Sequence, residues 1–389
     1  MPERIALLKP TAVNSVLSEV RELQRQGRKL VSLMRGEPDF PTPQHILDSA
    51  AASLQAGRTQ YPDNRGEGAL RDAVAEKLAR DNGLHYDAAS EILITDGATM
   101  GIYAALMSVV GPGDAVLVPD PIYDGYQSPI RLTGARPVPV RSGRDGGRFT
   151  LTKDALEAAY TPAAKALLLN TPWNPVGTVL TETELREIAA FVRRRELILI
   201  SDEIYEFITY DGHRHISSAA ADPEIRDRCV IVNSLSKTYS MTGWRLGYCA
   251  APAAMIRSML LVLQQCSRGP ATFVQDAGVT ALTGPQKCVG EMRETYAQRR
   301  DAVSEALSGL LNLDVLEPEG GFFTMLDVGR TGRTSDEIRR YLLHECGVVV
   351  IHGRAYGEVG EGTLRVSFAS GGETLQQGLQ LLRKGLQAL

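Results

Sequence analysis

Lys237 is the residue of this chain best suited to covalent chemistry. It follows an apolar run, Cys229–Val232, that reads as a strand; Ser234 and Ser236 precede it, and Arg245 lies eight positions on. A lysine that condenses with a carbonyl must sit at an ordered strand end and be partly unprotonated. Poor hydration and a neighbouring cation both lower its pKa toward that state. Ser234 and Arg245 suit a phosphate dianion beside it, the serine through its hydroxyl and the arginine through a bidentate fork. The stretch Val232–Tyr248 therefore predicts a Schiff-base lysine next to a phosphate site.

Other residues supply compatible chemistry, each with a plainer alternative. Asp202, within Ser-Asp-Glu-Ile-Tyr, fits a carboxylate paired with a protonated heterocyclic nitrogen, or equally a helix N-cap. Tyr205 could donate its hydroxyl to a ring oxygen, or fill a core. Gly97, Ala98 and Thr99 follow a strand and open a helix, where backbone N–H groups can cradle phosphate; many such turns are only turns. Asn174, in Thr-Pro-Trp-Asn-Pro-Val-Gly, reads as a ring-oxygen or carboxylate ligand, or as an ordinary turn. Tyr123 could stack on a flat cofactor, or pack. Arg365 interrupts an apolar strand pattern, Leu-Arg-Val-Ser-Phe; its fork suits an α-carboxylate if it faces a cleft, or water if it does not.

These groups need a scaffold that brings distant segments together. A chain of 389 residues is too long for one ordinary core, so two domains are expected. Short apolar runs at Glu91–Thr95, Ala115–Val118, Lys165–Asn170, Leu197–Ser201 and Cys229–Val232 alternate with amphipathic stretches such as Thr99–Val110 and Glu182–Arg194. That alternation predicts an α/β fold with a mostly parallel sheet, whose ligands bind at the carboxyl ends of the strands. Asp96–Thr99, Asn174, Asp202 and Ser234–Lys237 all fall at such ends. After about residue 280 a long charged helix (Pro285–Leu311) and strands at Phe322–Leu326, Val348–Ile351 and Thr363–Phe368 predict a smaller α+β domain. The segment Gly-Glu-Pro-Asp-Phe-Pro-Thr-Pro at 36–43 either joins that domain or wraps a partner.

Composition narrows the function classes. Hydrophobic residues make up 43% and charged residues 23%, with a net charge of −4, which gives no global attraction to nucleic acid or anionic membranes. The first residues lack a secretory pattern and no apolar run is long enough to span a bilayer, so a cytoplasmic location is expected. Five scattered cysteines without a Cys-x-x-Cys pair argue against a disulfide framework. The histidines lack metal-ligand spacing, His213 and His215 read as surface residues, and no metal is expected.

The order of these motifs resembles the class I aminotransferases of the fold-type I pyridoxal-phosphate enzymes, from about Leu8 to the C-terminus. The markers are Ser-Leu-Ser-Lys-Thr-Tyr-Ser-Met-Thr-Gly-Trp-Arg at 234–245, Ser-Asp-Glu-Ile-Tyr at 201–205, Asn-Pro-Val-Gly at 174–177 and Gly-Glu-Pro-Asp-Phe at 36–40. The resemblance implies a seven-stranded-type sheet in a large domain at 45–280, with 1–44 and 281–389 forming a small domain. It implies pyridoxal 5'-phosphate as cofactor and transfer of an amino group from an L-amino acid to a 2-oxo acid by a ping-pong mechanism. Lys237 resembles the Schiff-base lysine and proton shuttle, and Asp202 the ring-nitrogen partner. Tyr205 and Asn174 resemble the ring-oxygen ligands, Tyr123 the stacking aromatic, and Ala98, Thr99, Ser234 and Arg245 the phosphate ligands. Gly36, Asn174 and Arg365 resemble the α-carboxylate site. Tyr61 is similar to a tyrosine that reaches the neighbouring subunit's phosphate, which implies a homodimer with shared active sites.

Some positions depart from the commoner family pattern. Trp173 stands where Asn is frequent, His352 where Pro is frequent, and Arg354 where a small hydroxyl residue is usual. Arg35, Arg268 and Arg354 read as surface or interface residues, or as partners for an acidic substrate side chain. Two rival functions use the same resemblance. A lyase or decarboxylase of this fold would release ammonia or carbon dioxide instead of transferring an amino group. A pyridoxal-phosphate-sensing regulator would carry a DNA-binding module ahead of the pattern, which here begins almost at the first residue.

Overall fold

Seven short segments pair into one sheet: Ile92–Thr95 (β1), Ala115–Asp120 (β2), Arg136–Arg141 (β3), Ala164–Asn170 (β4), Ile198–Asp202 (β5), Cys229–Ser234 (β6) and Gly247–Ala250 (β7). The computed structural model describes residues 3–6, 8 and 10–389; residues 1, 2, 7 and 9 of the predicted N-terminal unit lie outside the described residues. The strand order is β1-β7-β6-β5-β4-β2-β3, and only β7 runs antiparallel to its neighbours. Helices cover both faces, so strands such as β1, β2 and β6 are buried along their whole length and need no polar face.

Two strands escape the sequence patterns for physical reasons. In β3, Pro137 and Pro139 remove ladder donors, and the strand lies at the sheet edge where that loss is tolerated. In β7, four residues return antiparallel directly after the Lys237 segment, without a crossover helix to announce them. The helices Gly97–Val109 and Glu182–Arg194 flank the sheet. The second starts on a capping box, Thr181 with Glu184, and buries Leu185, Ile188, Ala189, Phe191 and Val192 along one face.

A second, antiparallel sheet has the order β8-β9-β11-β10: Asp314–Leu316 (β8), Phe323–Asp327 (β9), Ile351–His352 (β10) and Thr363–Ser367 (β11). It packs over its own core, which includes Val303, Leu326, Leu364 and Leu382. The run Val348–Ile351, expected as one strand, divides between two pairings. Val348–Val349 pairs parallel with Val31–Ser32, and Ile351–His352 pairs with β11. The N-terminal segment thus joins this C-terminal unit. The long charged helix spans Lys287–Leu307, shorter than expected, because Ser308 is extended and Gly309 takes a positive φ of 73°. Among the described residues no helix is long and apolar enough to cross a membrane.

Candidate functional site

The carboxyl ends of the parallel strands open into a cavity of about 980 Å³, lined also by β9, β11 and the N-terminal helix Ala12–Arg25. A pocket at strand ends is where an open α/β sheet binds its ligands. Of the residues singled out from sequence, Gly36, Ala98, Thr99, Tyr123, Asn174, Asp202, Tyr205, Ser234, Lys237, Arg245 and Arg365 all line it.

One end of the cavity has the chemistry of a phosphate cradle. The helix from Gly97 has Asp96 at its N-cap, yet Asp96 makes no capping bond and instead accepts from the Ser267 hydroxyl. The first amides of that helix therefore remain available to an anion. Gly97 has φ +75°, a left-handed conformation that favours glycine, and a Cβ there would lie 2.5 Å from Arg245 Nη2 and push the guanidinium aside. Arg245 donates to the carbonyls of Thr242 (3.0 Å) and Asp96 (3.4 Å) and has no carboxylate partner among the described residues. Its own backbone is left-handed, φ 54°, a conformation that costs energy outside glycine and clusters at functional sites. Ser234 stands at the end of β6, its Oγ accepting from the Ser236 amide at 3.3 Å. These residues fit a phosphate monoester.

Beside the cradle, Asp202 ends β5 and is 2% exposed. Its Oδ2 accepts from the Tyr126 hydroxyl at 2.5 Å and its Oδ1 from the Ile204 amide at 3.3 Å. Burial pushes the carboxyl up to about 6, against the lowering effect of those two donors. No helix follows Asp202; residues 204–207 form a turn, so the helix N-cap reading does not apply. Lys237 sits in the single helical turn after β6 and donates from Nζ to the Gly36 carbonyl at 2.6 Å. Desolvation lowers its pKa to about 8; Glu37 and Asp202 oppose that shift, while Arg245 and Arg365 reinforce it. The amine is thus far closer to its nucleophilic form than an ordinary lysine.

Another part of the lining carries a guanidinium with the chemistry to receive a carboxylate. Arg365, on β11 and 3% exposed, reaches Asn174 Oδ1 (3.3 Å) and the Met34 carbonyl (3.4 Å). Its guanidinium lies over Phe323 at 4.1 Å and Tyr356 at 4.8 Å. Its Nε has no partner, and no carboxylate pairs with it among the described residues. A buried guanidinium so arranged is suited to an anionic ligand. Asn174 also donates to the Tyr205 hydroxyl at 3.5 Å, and Tyr205 is buried edge-on against Phe322.

Two residues essential to this geometry escaped the sequence reading. Tyr126 holds Asp202 from a short 3-10 turn at Asp124–Tyr126. Asn170 lies opposite Asp202 in the β4–β5 register, donates to its carbonyl at 3.0 Å, and accepts from the Asn174 amide at 2.8 Å. Only its place as the last polar residue of an apolar run hinted at a role.

Several candidates stand apart from the cavity. Tyr61 is 85% exposed and does not line it. Trp173 is buried behind Asn174, its Nε1 donating to the Pro121 carbonyl at 2.8 Å. His352, Arg354 and Arg268 are outside the lining, with Arg354 paired to Glu358 at 3.1 Å. Arg35 lines the cavity but faces Glu37 at 3.3 Å. His215, expected at the surface, is buried instead; Nε2 lies 3.0 Å from Glu203 Oε2, because a buried carboxylate requires a partner.

Comparison with known proteins shows the family of the chain. The profile of the family described as aminotransferase class I and II matches residues 28–380. The chain is 33% identical to the aspartate aminotransferase of Geobacillus stearothermophilus, over 100% of this chain and 99% of that one. It is 36% identical to aromatic-amino-acid aminotransferase 2 of Thermococcus litoralis, over 100% and 98%. The crystal structure of the aspartate aminotransferase from Rhizobium meliloti superposes with a TM-score of 0.95 at 32% identity, covering 99% of this chain and 98% of that one.

Proposed function

Because the chain belongs to the class I and II aminotransferase family and is a pyridoxal-phosphate-dependent transaminase, we propose the following division of work among its residues. When bound, pyridoxal phosphate supplies an aldehyde that captures amino groups and a protonated ring that takes up electron density. Arg245, Ser234, Thr99 and the amides of Gly97 and Ala98 bind its phosphate. Asp202, steadied by Tyr126, holds a proton on the ring nitrogen. Asn174 and Tyr205 would hold the ring oxygen, and Tyr123 would supply an aromatic face to the ring. Lys237 would hold the cofactor through Nζ, and its free amine would serve as the base and acid that move the substrate's α-proton. Arg365, with Asn174 and the Gly36 backbone, binds the substrate α-carboxylate. A 2-oxo acid leaves and a second one enters, so kinetics are ping-pong.

The observation that carries this reading is the gathering, in one cavity, of a lysine lowered to about 8, a carboxyl raised to about 6, and two arginines without carboxylate partners. The division into 45–280 and 1–44 with 281–389 belongs to the same proposal, supported by the two sheets and by cores that are mostly distinct, although Leu316 and Met325 pack with the first and Tyr205, Ile208 and Tyr210 with the second. So does a homodimer in which Tyr61 completes the neighbouring subunit's phosphate site; its 85% exposure in one protomer supports that role. Five free thiols support a reducing, cytoplasmic setting.

The test is stoichiometric. Amino donor and 2-oxo acid should exchange in equimolar amounts, whereas release of ammonia or carbon dioxide would favour a lyase or decarboxylase. Arg365→Ala should weaken amino-acid and oxo-acid binding together. Loss of a charge-assisted bidentate contact is worth about 1.5–3 kcal/mol, or roughly 10- to 150-fold in KM. Unchanged Michaelis constants for every substrate would remove Arg365 from that role.

A further inference from the structure

The cavity extends well beyond the groups assigned so far; polar Gln24, Ser32, Ser370 and Thr374 lie in its remaining lining, but one continuous part of that wall is apolar. The N-terminal helix presents Val13, Leu17 and Val20, spaced four and three residues apart and so on one face, to the cavity. Met34, Ile102 and Phe323 continue that surface. The wall is fixed rather than incidental. Val16 and Val20 pack into a core with Met34, Leu343, Val349, Ile351 and Tyr356. The helix is capped by the Thr11 hydroxyl, which accepts from Asn14 at 3.2 Å, and Asp124 Oδ2 accepts from the Val13 amide at 3.4 Å.

The cations lining the cavity are Arg35, Lys237, Arg245 and Arg365. Three of these have the roles proposed above. The fourth, Arg35, is exposed and faces Glu37 at 3.3 Å, so a second substrate carboxylate would meet a pair already formed, with its own like charge beside it. Arg268 and Arg354 do not reach the cavity of their own protomer. A carboxylate pressed on the apolar wall would lose its hydration without gaining a free cation as partner.

Resting on the transaminase reading above, we propose that the side-chain end of this site is built for a large apolar amino acid, aromatic or branched aliphatic, and not for a second carboxylate. Leu17 is its specificity-determining residue, because it sits half-buried at the centre of the helical face that lines the cavity.

The test uses the holoenzyme mixed with one amino donor and no oxo acid, following the cofactor's absorbance through a single half-reaction. L-phenylalanine or L-leucine should exceed L-aspartate and L-glutamate in second-order rate constant by about 30-fold or more. Leu17→Ala should shrink the preference for L-phenylalanine over L-alanine about fivefold. Leu17→Lys should shift the ratio of L-aspartate to L-phenylalanine about tenfold toward aspartate. An acidic donor ranking first in the wild-type enzyme would overturn the proposal. If Arg268→Ala then abolished that ranking, the cation would come from the partner subunit. Unchanged ratios in both Leu17 variants would likewise overturn it. Failure of every donor to convert the cofactor would bring down the transaminase reading itself, and this inference with it; a fast acidic donor would bring down this inference alone.

Discussion

Lys237→Ala is expected to lower kcat for transamination by about 10⁴-fold or more while leaving the protein folded. A positioned general base alone contributes roughly 10²- to 10⁴-fold, and this amine is also the proposed covalent anchor, so one substitution would remove both functions. The fold should survive because the side chain's contacts are few: one hydrogen bond to the Gly36 carbonyl and a cation–π approach to Phe322 at 5.6 Å. Desolvation already disfavours its charged form, so truncation relieves a cost as well as removing a bond. Lys237→Arg separates charge from nucleophilicity; it keeps a cation near Asp202 and should be equally inactive. Borohydride reduction of the wild-type holoenzyme should leave its label on the peptide containing Lys237. Appreciable turnover in the alanine variant would exclude Lys237 as the proton carrier.

The same amine sets a pH signature. Its pKa is lowered from the usual lysine value to about 8, so the nucleophilic form grows as pH rises through 8. Capture of pyridoxal phosphate by the apoenzyme should accelerate over that window and level off above it. An unperturbed lysine would continue to gain toward pH 10.4.

How much of this was legible in the chain depends on how local each contact is. Ser234, Lys237 and Arg245 lie in one stretch that leaves β6 and returns as β7, so their association follows from sequence proximity. Asp202 was legible as a strand-end carboxylate, but the choice between ring partner and helix cap was not. That choice depends on whether a helix follows and on what surrounds the carboxyl. Tyr126 and Asn170 reach Asp202 through chain separations of 76 and 32 residues; the sheet register specifies the Asn170 contact, and the tertiary placement of the 3-10 turn that follows the second strand specifies the Tyr126 contact. The burial of His215 is likewise set by a tertiary contact. A Gly-containing surface stretch says nothing about the buried Glu203, which also accepts from Ser217 Oγ and the Ser218 amide. The proline-spaced β3 and the divided run at 348–352 show that neighbours, more than propensity, decide short strands.

Asp202→Asn is the second large effect expected, and it tests the electrostatic half of the site. Asparagine keeps the shape and can still meet Tyr126, but it cannot offer a charge to a protonated ring nitrogen. Removing one member of a buried ion pair costs about 3–5 kcal/mol, so kcat/KM should fall roughly 10²- to 10⁴-fold at about 1.36 kcal/mol per decade. The wild-type protein should show an acid limb that the variant lacks. Burial raises the free carboxyl to about 6, and a cationic ring nitrogen beside it would lower that value. Bound cofactor therefore favours the ionised carboxylate, and affinity should decline as pH falls below about 6, where the apoprotein takes up a proton that the holoprotein resists. In Asp202→Asn no such proton exists at that position, and affinity should be weaker yet flatter with pH. Cofactor titration of both proteins between pH 5 and 8, roughly the window set by the raised carboxyl, separates the alternatives. A merely structural Asp202 would lose stability without altering the pH slope, whereas the ring-nitrogen role requires the slope itself to disappear.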